Sequence, residues 1–242
     1  MILFPAIDIY EGRAVRLLRG EYDRLTVYGE DPSAIALDFR ACGAEAVHIV
    51  DLEGARSGDT PNFEAVCRVK ERSGLFCEIG GGIRSMEVLE RYFDAGLDRA
   101  VLGTAAVRDR AFLADALRRY GGRIAVGVDI RDGFVAVQGW TENSGLEAFA
   151  FCRELRDMGV RTLICTDISR DGAMQGTNHA LYRRLRSELE LDITASGGVS
   201  SMEDIQALAA AGLYGAIVGK AYYTGAIDLR EAVSFCRGEV GA

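Results

Sequence analysis

The chain predicts an α/β fold, a (β/α)8 or TIM barrel with an internal twofold half-barrel repeat, and two observations carry that expectation. Eight short apolar runs alternate with eight amphipathic ones along 242 residues, the pattern of parallel strands joined by helices. The stretch around Gly81 also recurs 116 residues downstream, with 11 identities in the 27 pairs from Gly80/Ser196 to Ala106/Tyr222. The same shift brings Gly43 onto Gly159, Asp51 onto Asp167 and Asn62 onto Asn178. Four units repeated make eight, so residues 1–242 form one expected domain of two half-barrels, about 1–120 and 121–242. A doubly wound open sheet is the alternative, but it gives no reason for equivalent halves.

The expected strands are 2–8, 46–52, 76–80, 99–103, 123–129, 162–168, 192–196 and 215–219. Helices are expected to begin near Asp31, Asn62, Ser85, Asp109, Gly145, Asn178, Ser201 and Asp228. Asp31-Pro32 places a proline at a first helical position, and Ser201 with Asp204 resembles a capping box. Glycines 43, 74, 96, 121, 159 and 212 fall where helices should stop. Connections after helices are short. Those after strands are long at 9–30, 53–61, 131–144 and 169–177, and in a barrel such loops gather at the face that carries the site.

Composition narrows the function. Hydrophobic content of 49% and charged content of 26% are those of an ordinary globular protein. No apolar run reaches the roughly 18 residues of a membrane span, and the N-terminal stretch reads as a strand with no basic leader. The six cysteines form no Cys-x-x-Cys pair and read as free thiols of a reducing cytoplasm. A net charge of −8 argues against nucleic acid. An anionic ligand must therefore be held by local devices.

Those devices are the glycine turns. Gly80-Gly81-Gly82 ends the third strand and Gly103-Thr104 the fourth; Ser196-Gly197-Gly198 ends the seventh and Gly219-Lys220 the eighth. A glycine turn that enters a helix exposes backbone N–H groups with no Cβ in the way, which suits a phosphate. Two copies predict two phosphate sites on opposite sides of one mouth, and a substrate with a phosphate near each end. Arg84 and Lys220 put a cation beside each pair of turns and break the repeat, since their counterparts are Ser200 and Thr104.

Asp8 and Asp129 end the first and fifth strands, each followed by Ile and, three residues on, by Gly. In an eight-stranded barrel these strands face each other, so the two carboxylates can serve as general acid and general base between the phosphates. Asp51 and Asp167 form a second symmetric pair, for which capping is the favoured role. His48 points either into the barrel or toward the helices. Trp140 either stacks on a flat ring or packs its own loop. His48 and His179 are too few and too badly spaced for a metal site.

Several motifs stand in order: Pro-Ala-Ile-Asp-Ile, Val-Arg-Leu-Leu-Arg-Gly-Glu-Tyr, His-Ile-Val-Asp-Leu-Glu-Gly-Ala, Gly-Gly-Gly-Ile-Arg, Leu-Gly-Thr-Ala, Thr-Asp-Ile-Ser-Arg-Asp-Gly-Ala-Met-Gln-Gly-Thr-Asn and Ala-Ser-Gly-Gly-Val. Together, and essentially end to end, they resemble the histidine-biosynthesis isomerase family that acts on phosphoribosylformimino-aminoimidazole-carboxamide ribotide. The resemblance implies an Amadori rearrangement of a bisphosphate, aminoaldose to aminoketose. It implies Asp8 as general base, Asp129 as general acid, Thr166 as an assisting group and Asp171 as a residue that positions substrate or loop. The substrate's own iminium is the electron sink, so no metal or cofactor is implied. The related cyclase begins with Cys-Leu-Asp where this chain has Ala6-Ile7-Asp8. A dual isomerase acting also on phosphoribosylanthranilate, and a non-catalytic phosphosugar-binding barrel, are further alternatives; the latter should have lost one of the two aspartates. The expected partner is a small-molecule bisphosphate, with no nucleic acid, no membrane and no second subunit.

Overall fold

The computed structural model describes residues 1–18 and 21–239. Arg19 and Gly20 of the quoted Arg-Gly-Glu-Tyr motif, and residues 240–242 of the second half, lie outside the described residues.

Twelve strands are present among the described residues: β1 (Ile2–Tyr10), β2 (Arg13–Leu18), β3 (Glu21–Gly29), β4 (Ala46–Asp51), β5 (Phe76–Gly80), β6 (Arg99–Leu102), β7 (Ile124–Arg131), β8 (Phe134–Val137), β9 (Glu142–Glu147), β10 (Thr162–Asp167), β11 (Asp192–Ser196) and β12 (Gly215–Val218). Eight of them close a parallel ring in the order β1-β4-β5-β6-β7-β10-β11-β12, with β12 returning to β1 through Ile2↔Gly215 to Pro5↔Val218. The (β/α)8 barrel is therefore closed, and the open-sheet alternative fails. The barrel strands fall within a few residues of the expected runs.

The helices are α1 (Pro32–Ala41), α2 (Leu52–Ser57), α3 (Phe63–Ser73), α4 (Met86–Asp94), α5 (Thr104–Arg108), α6 (Arg110–Tyr120), α7 (Ala148–Asp157), α8 (His179–Glu188), α9 (Met202–Ala210), α10 (Lys220–Tyr223) and α11 (Leu229–Arg237). Asp31, Ser85, Asp109, Asn178, Ser201 and Asp228 each cap a helix through the side chain, satisfying N–H groups that the first turn leaves unpaired. One start differs from expectation: α7 begins at Ala148 under a Glu147 cap, because Gly145 is taken into β9. The capping box at Ser201 is half made. Asp204 N–H donates to Ser201 at 3.4 Å, but the Asp204 carboxylate turns back to Ser200 N–H and Oγ, each at 3.0 Å, and to Thr177 N–H.

Two of the long connections contain hairpins. Glu11-Gly12 and Asp132-Gly133 both adopt positive φ between paired residues, the two-residue turn whose twist suits antiparallel strands. The glycine three residues after each Ile thus closes a hairpin that folds β2 against β1 and β8 against β7.

Side chains alternate along each barrel strand. Phe4, Ala6, Ala46, Val101, Ala125, Ile164 and Ile217 fill the interior as one small cluster. The opposite faces, such as Ile7, Val47, Ile79, Leu102, Val126, Leu163 and Ile193, pack against the helices as a much larger ring of core. The interior set stops partway up, and the strands' C-terminal ends are left for polar residues.

Candidate active site

The strand ends and the loops that follow them enclose one cavity of about 260 Å³. Sixteen of the residues singled out from the sequence line it. Asp8, Asp129 and Thr166 stand on strands; His48 lies lower on β4. Gly81, Gly82 and Arg84 follow β5, and Gly103 and Thr104 follow β6. Trp140 comes from the turn between β8 and β9, and Asp171 from the loop after β10. Ser196, Gly197 and Gly198 end β11, and Gly219 and Lys220 end β12. His48 is cross-strand to Ala6 and Glu78, so the alternation places it inside the barrel and not toward the helices.

Asp8 and Asp129 stand four strands apart around the ring, on opposite walls. Their surroundings differ. Arg16 Nη1, from the hairpin strand β2, donates to Asp8 Oδ2 at 2.7 Å. Among the described residues Asp129 has no arginine or lysine partner, and its nearest cationic influence is His48, when that ring is protonated. Burial pushes its carboxyl above the usual range, opposed by hydrogen bonds from its cross-strand neighbour Thr166 and from Trp140. Arg131 Nη1 holds the Trp140 carbonyl at 3.1 Å. Asp171 is pushed up to about 6, first by burial and then by Asp8 and Asp129, against the pull of Arg16 and Lys220.

The glycine turns separate into two kinds. Gly81 and Gly197 have φ of 100° and 90°, and a Cβ on either would strike the carbonyl of Asp51 or Asp167. Their identity follows from the close approach of two loops. Helices α4 and α9 then start only after serine caps. Gly103 and Gly219, by contrast, are themselves the N-cap residues immediately before α5 and α10, and no side chain caps either helix. A Cβ on Gly103 would meet nothing within 4 Å, and one on Gly219 would meet the Arg16 guanidinium first. Arg84 donates to the Ala55 carbonyl and Lys220 to the Gly172 carbonyl, each at 3.1 Å. Neither cation forms an ion pair among the described residues.

Asp51 caps α2 through Gly54 N–H and binds Asn62; Asp167 binds Asn178 and Ser169 in the same way. Asp51 thus caps a helix and Asp167 caps a turn, each braced by the asparagine eleven residues on. Arg16 was not singled out as a site residue, although its motif carried the resemblance. Nothing local marks a cation eight residues past an aspartate as that aspartate's partner, because the pairing depends on the hairpin. The six cysteines are all free thiols. Among the described residues no cluster suits a metal ion, and no helix is long and apolar enough to cross a membrane.

A family model described as histidine biosynthesis protein matches residues 2–228. The chain belongs to that family. It is 45% identical over 231 residues to the 1-(5-phosphoribosyl)-5-((5-phosphoribosylamino)methylideneamino)imidazole-4-carboxamide isomerase of Oceanobacillus iheyensis, covering 96% of each chain. It is 47% identical to the protein of that name from Lactococcus lactis subsp. cremoris, covering 96% of this chain and 95% of the relative. It is also 45% identical to the isomerase 2 of Ruegeria sp., covering 98% and 100%. The family expected from the motifs is thus the family found.

Proposed function

We propose that the protein is the histidine-biosynthesis isomerase that converts the bisphosphate ProFAR to PRFAR by an Amadori rearrangement. The observation that carries this reading is that two differently surrounded aspartates and two pairs of glycine turns open on one cavity. The names of the relatives supply the substrate. Gly81, Gly82, Arg84, Gly103 and Thr104 hold one phosphate; Ser196, Gly197, Gly198, Gly219 and Lys220 hold the other. Uncapped N–H groups at α5 and α10 and a cation beside each suit that task.

Asp129, with its carboxyl biased toward the protonated form, donates a proton to the ribose ring oxygen, and the ring opens to an iminium. Thr166, cross-strand to Asp129, orients the acid. Asp8, across the mouth, takes the proton from sugar C2, giving an enolamine that tautomerises to the ketone. His48 and Asp171 contact the sugar, and Trp140 stacks on the imidazole. The chain works as one domain of two half-barrels, as a monomer and in the cytoplasm, since one chain supplies every group the reading uses. No observation favours the cyclase or an added activity on phosphoribosylanthranilate.

The test is an assay of the purified protein on ProFAR and on phosphoribosylanthranilate. Turnover of the first alone is expected. No PRFAR formed from ProFAR would sink the reading.

A further inference from the structure

We infer that Glu78 is a positioning residue: it holds the His48 ring in the Nδ1–H tautomer and so turns an unprotonated Nε2 toward the cavity, as an acceptor for a hydroxyl of the sugar phosphate. The choice of ligand rests on the isomerase reading; the tautomer does not.

His48 Nδ1 lies 2.8 Å from Glu78 Oε1. Glu78 is wholly buried and does not reach the cavity, whereas His48 lines it. The ring edge away from Glu78 therefore faces the ligand space. Below, Arg99 Nη1 donates to Glu78 Oε2 at 3.2 Å, and Arg99 Nη2 donates to the Tyr214 hydroxyl at 3.2 Å. The Arg99 guanidinium is 5.0 Å from the centre of the Phe76 ring. A carboxylate gripped by a guanidinium only accepts hydrogen bonds, so the hydrogen between Glu78 and His48 belongs to Nδ1. Fixing one ring nitrogen decides what the other offers.

The internal repeat indicates that this chain of groups is not there for the fold. The 116-residue shift takes His48, Glu78 and Arg99 to Ile164, Thr194 and Gly215. These occupy the same register: Ile164 pairs with Thr194 as His48 pairs with Glu78, and Thr194 with Gly215 as Glu78 with Arg99. The second half closes the same part of the barrel with no ionisable group. Buried ion pairs are readily replaced by apolar residues when only stability is at stake. Retention in one half points to the single member that reaches the ligand, His48.

The chain has two histidines, so 15N-histidine labelling of the full protein gives two ring systems, and loss of one in His48→Gln assigns them. Long-range proton–nitrogen spectra at alkaline pH should show His48 with a protonated Nδ1 and a bare Nε2. A protonated Nε2 in the wild type overturns the inference, whatever any variant does. Replacing Glu78→Met together with Arg99→Met removes the acceptor and strands no cation. It should release the tautomer and lower kcat on ProFAR about tenfold, the worth of one well-placed hydrogen bond, with KM changed less than about twofold. Glu78→Gln still offers an amide oxygen and should keep both the tautomer and the activity. A folded double variant with wild-type kcat, or a Gln variant as impaired as the Met one, also overturns it. Failure of the isomerase reading is seen separately, as a wild-type protein that turns over no ProFAR while its tautomer remains measurable.

Discussion

Asp8 and Asp129 are the same residue type in sequence contexts that nearly match, and the structure treats them differently. One is ion-paired with Arg16, and the other has no such cation and stands across the strand from a threonine. Asp8→Asn and Asp129→Asn should each lower kcat by about 10²- to 10⁴-fold, the usual worth of a positioned acid or base, while substrate Kd changes little because the phosphates hold the ligand. Single-turnover kinetics with a direct binding measurement check this. Near-normal turnover in either variant would rule out its assigned role. Asp171 gives a prediction about pH. Its folded-state carboxyl is raised to about 6, so between about pH 4 and 6 the folded protein holds a proton that the unfolded chain has released. That proton stabilises the fold at low pH, and the advantage is lost as pH rises through 6. The Tm of Asp171→Asn minus that of wild type should therefore climb across this window and level off above it. A flat difference would mean the carboxyl is not buried as described.

The elements that were legible in the sequence are those whose signal is local. The eight barrel strands and seven of the eight helix starts follow from apolar periodicity and capping residues within a few positions of each other. Gly145 belongs to a strand and not a helix start, because a glycine before an amphipathic run fits either. The hairpins after β1 and β7 lie outside the eight-strand pattern although Asp132-Gly133 is a strong turn signal, since a barrel template calls for plain loops there. The site was legible where repeats marked it, and Arg16, Glu78 and Arg99 were not, because charged residues inside strands declare a role only once their partners are known. The two kinds of glycine turn also predict different outcomes. Gly81→Ala must force positive φ and a clash with the Asp51 carbonyl, so it should destabilise by about 2 kcal/mol or more in denaturant unfolding. Gly103→Val points into open space. It should leave the unfolding midpoint nearly unchanged and raise KM several-fold; an unchanged KM would make that turn merely structural.

For the whole molecule, the two half-barrels place the proposed phosphate grips at opposite sides of one ring, at β5–β6 and β11–β12. A ligand that carries two phosphates ties both halves together, and any ligand that prefers the folded state raises its stability by mass action, about 2.7 kcal/mol at a hundredfold excess over Kd. A bisphosphate should accordingly raise Tm more than a phosphomonoester of the same sugar at equal concentration, in scanning calorimetry. Equal shifts would mean that only one grip binds.

Ring closure joins residues 2–5 to 215–218. The ring's first strand in chain order is thus wedged between its neighbour β4 and the ring's last strand, β12. The ring cannot close until residues as far apart as 2 and 215 have both been made, and contacts this distant in sequence are slow to form. The duplicated architecture softens the delay, because β1, β4, β5 and β6 are consecutive around the ring and can gather on one another while the rest is still being synthesised. The final seam is then a late event, and until it forms the nascent barrel shows an unpaired edge at β1 to anything else that offers a strand.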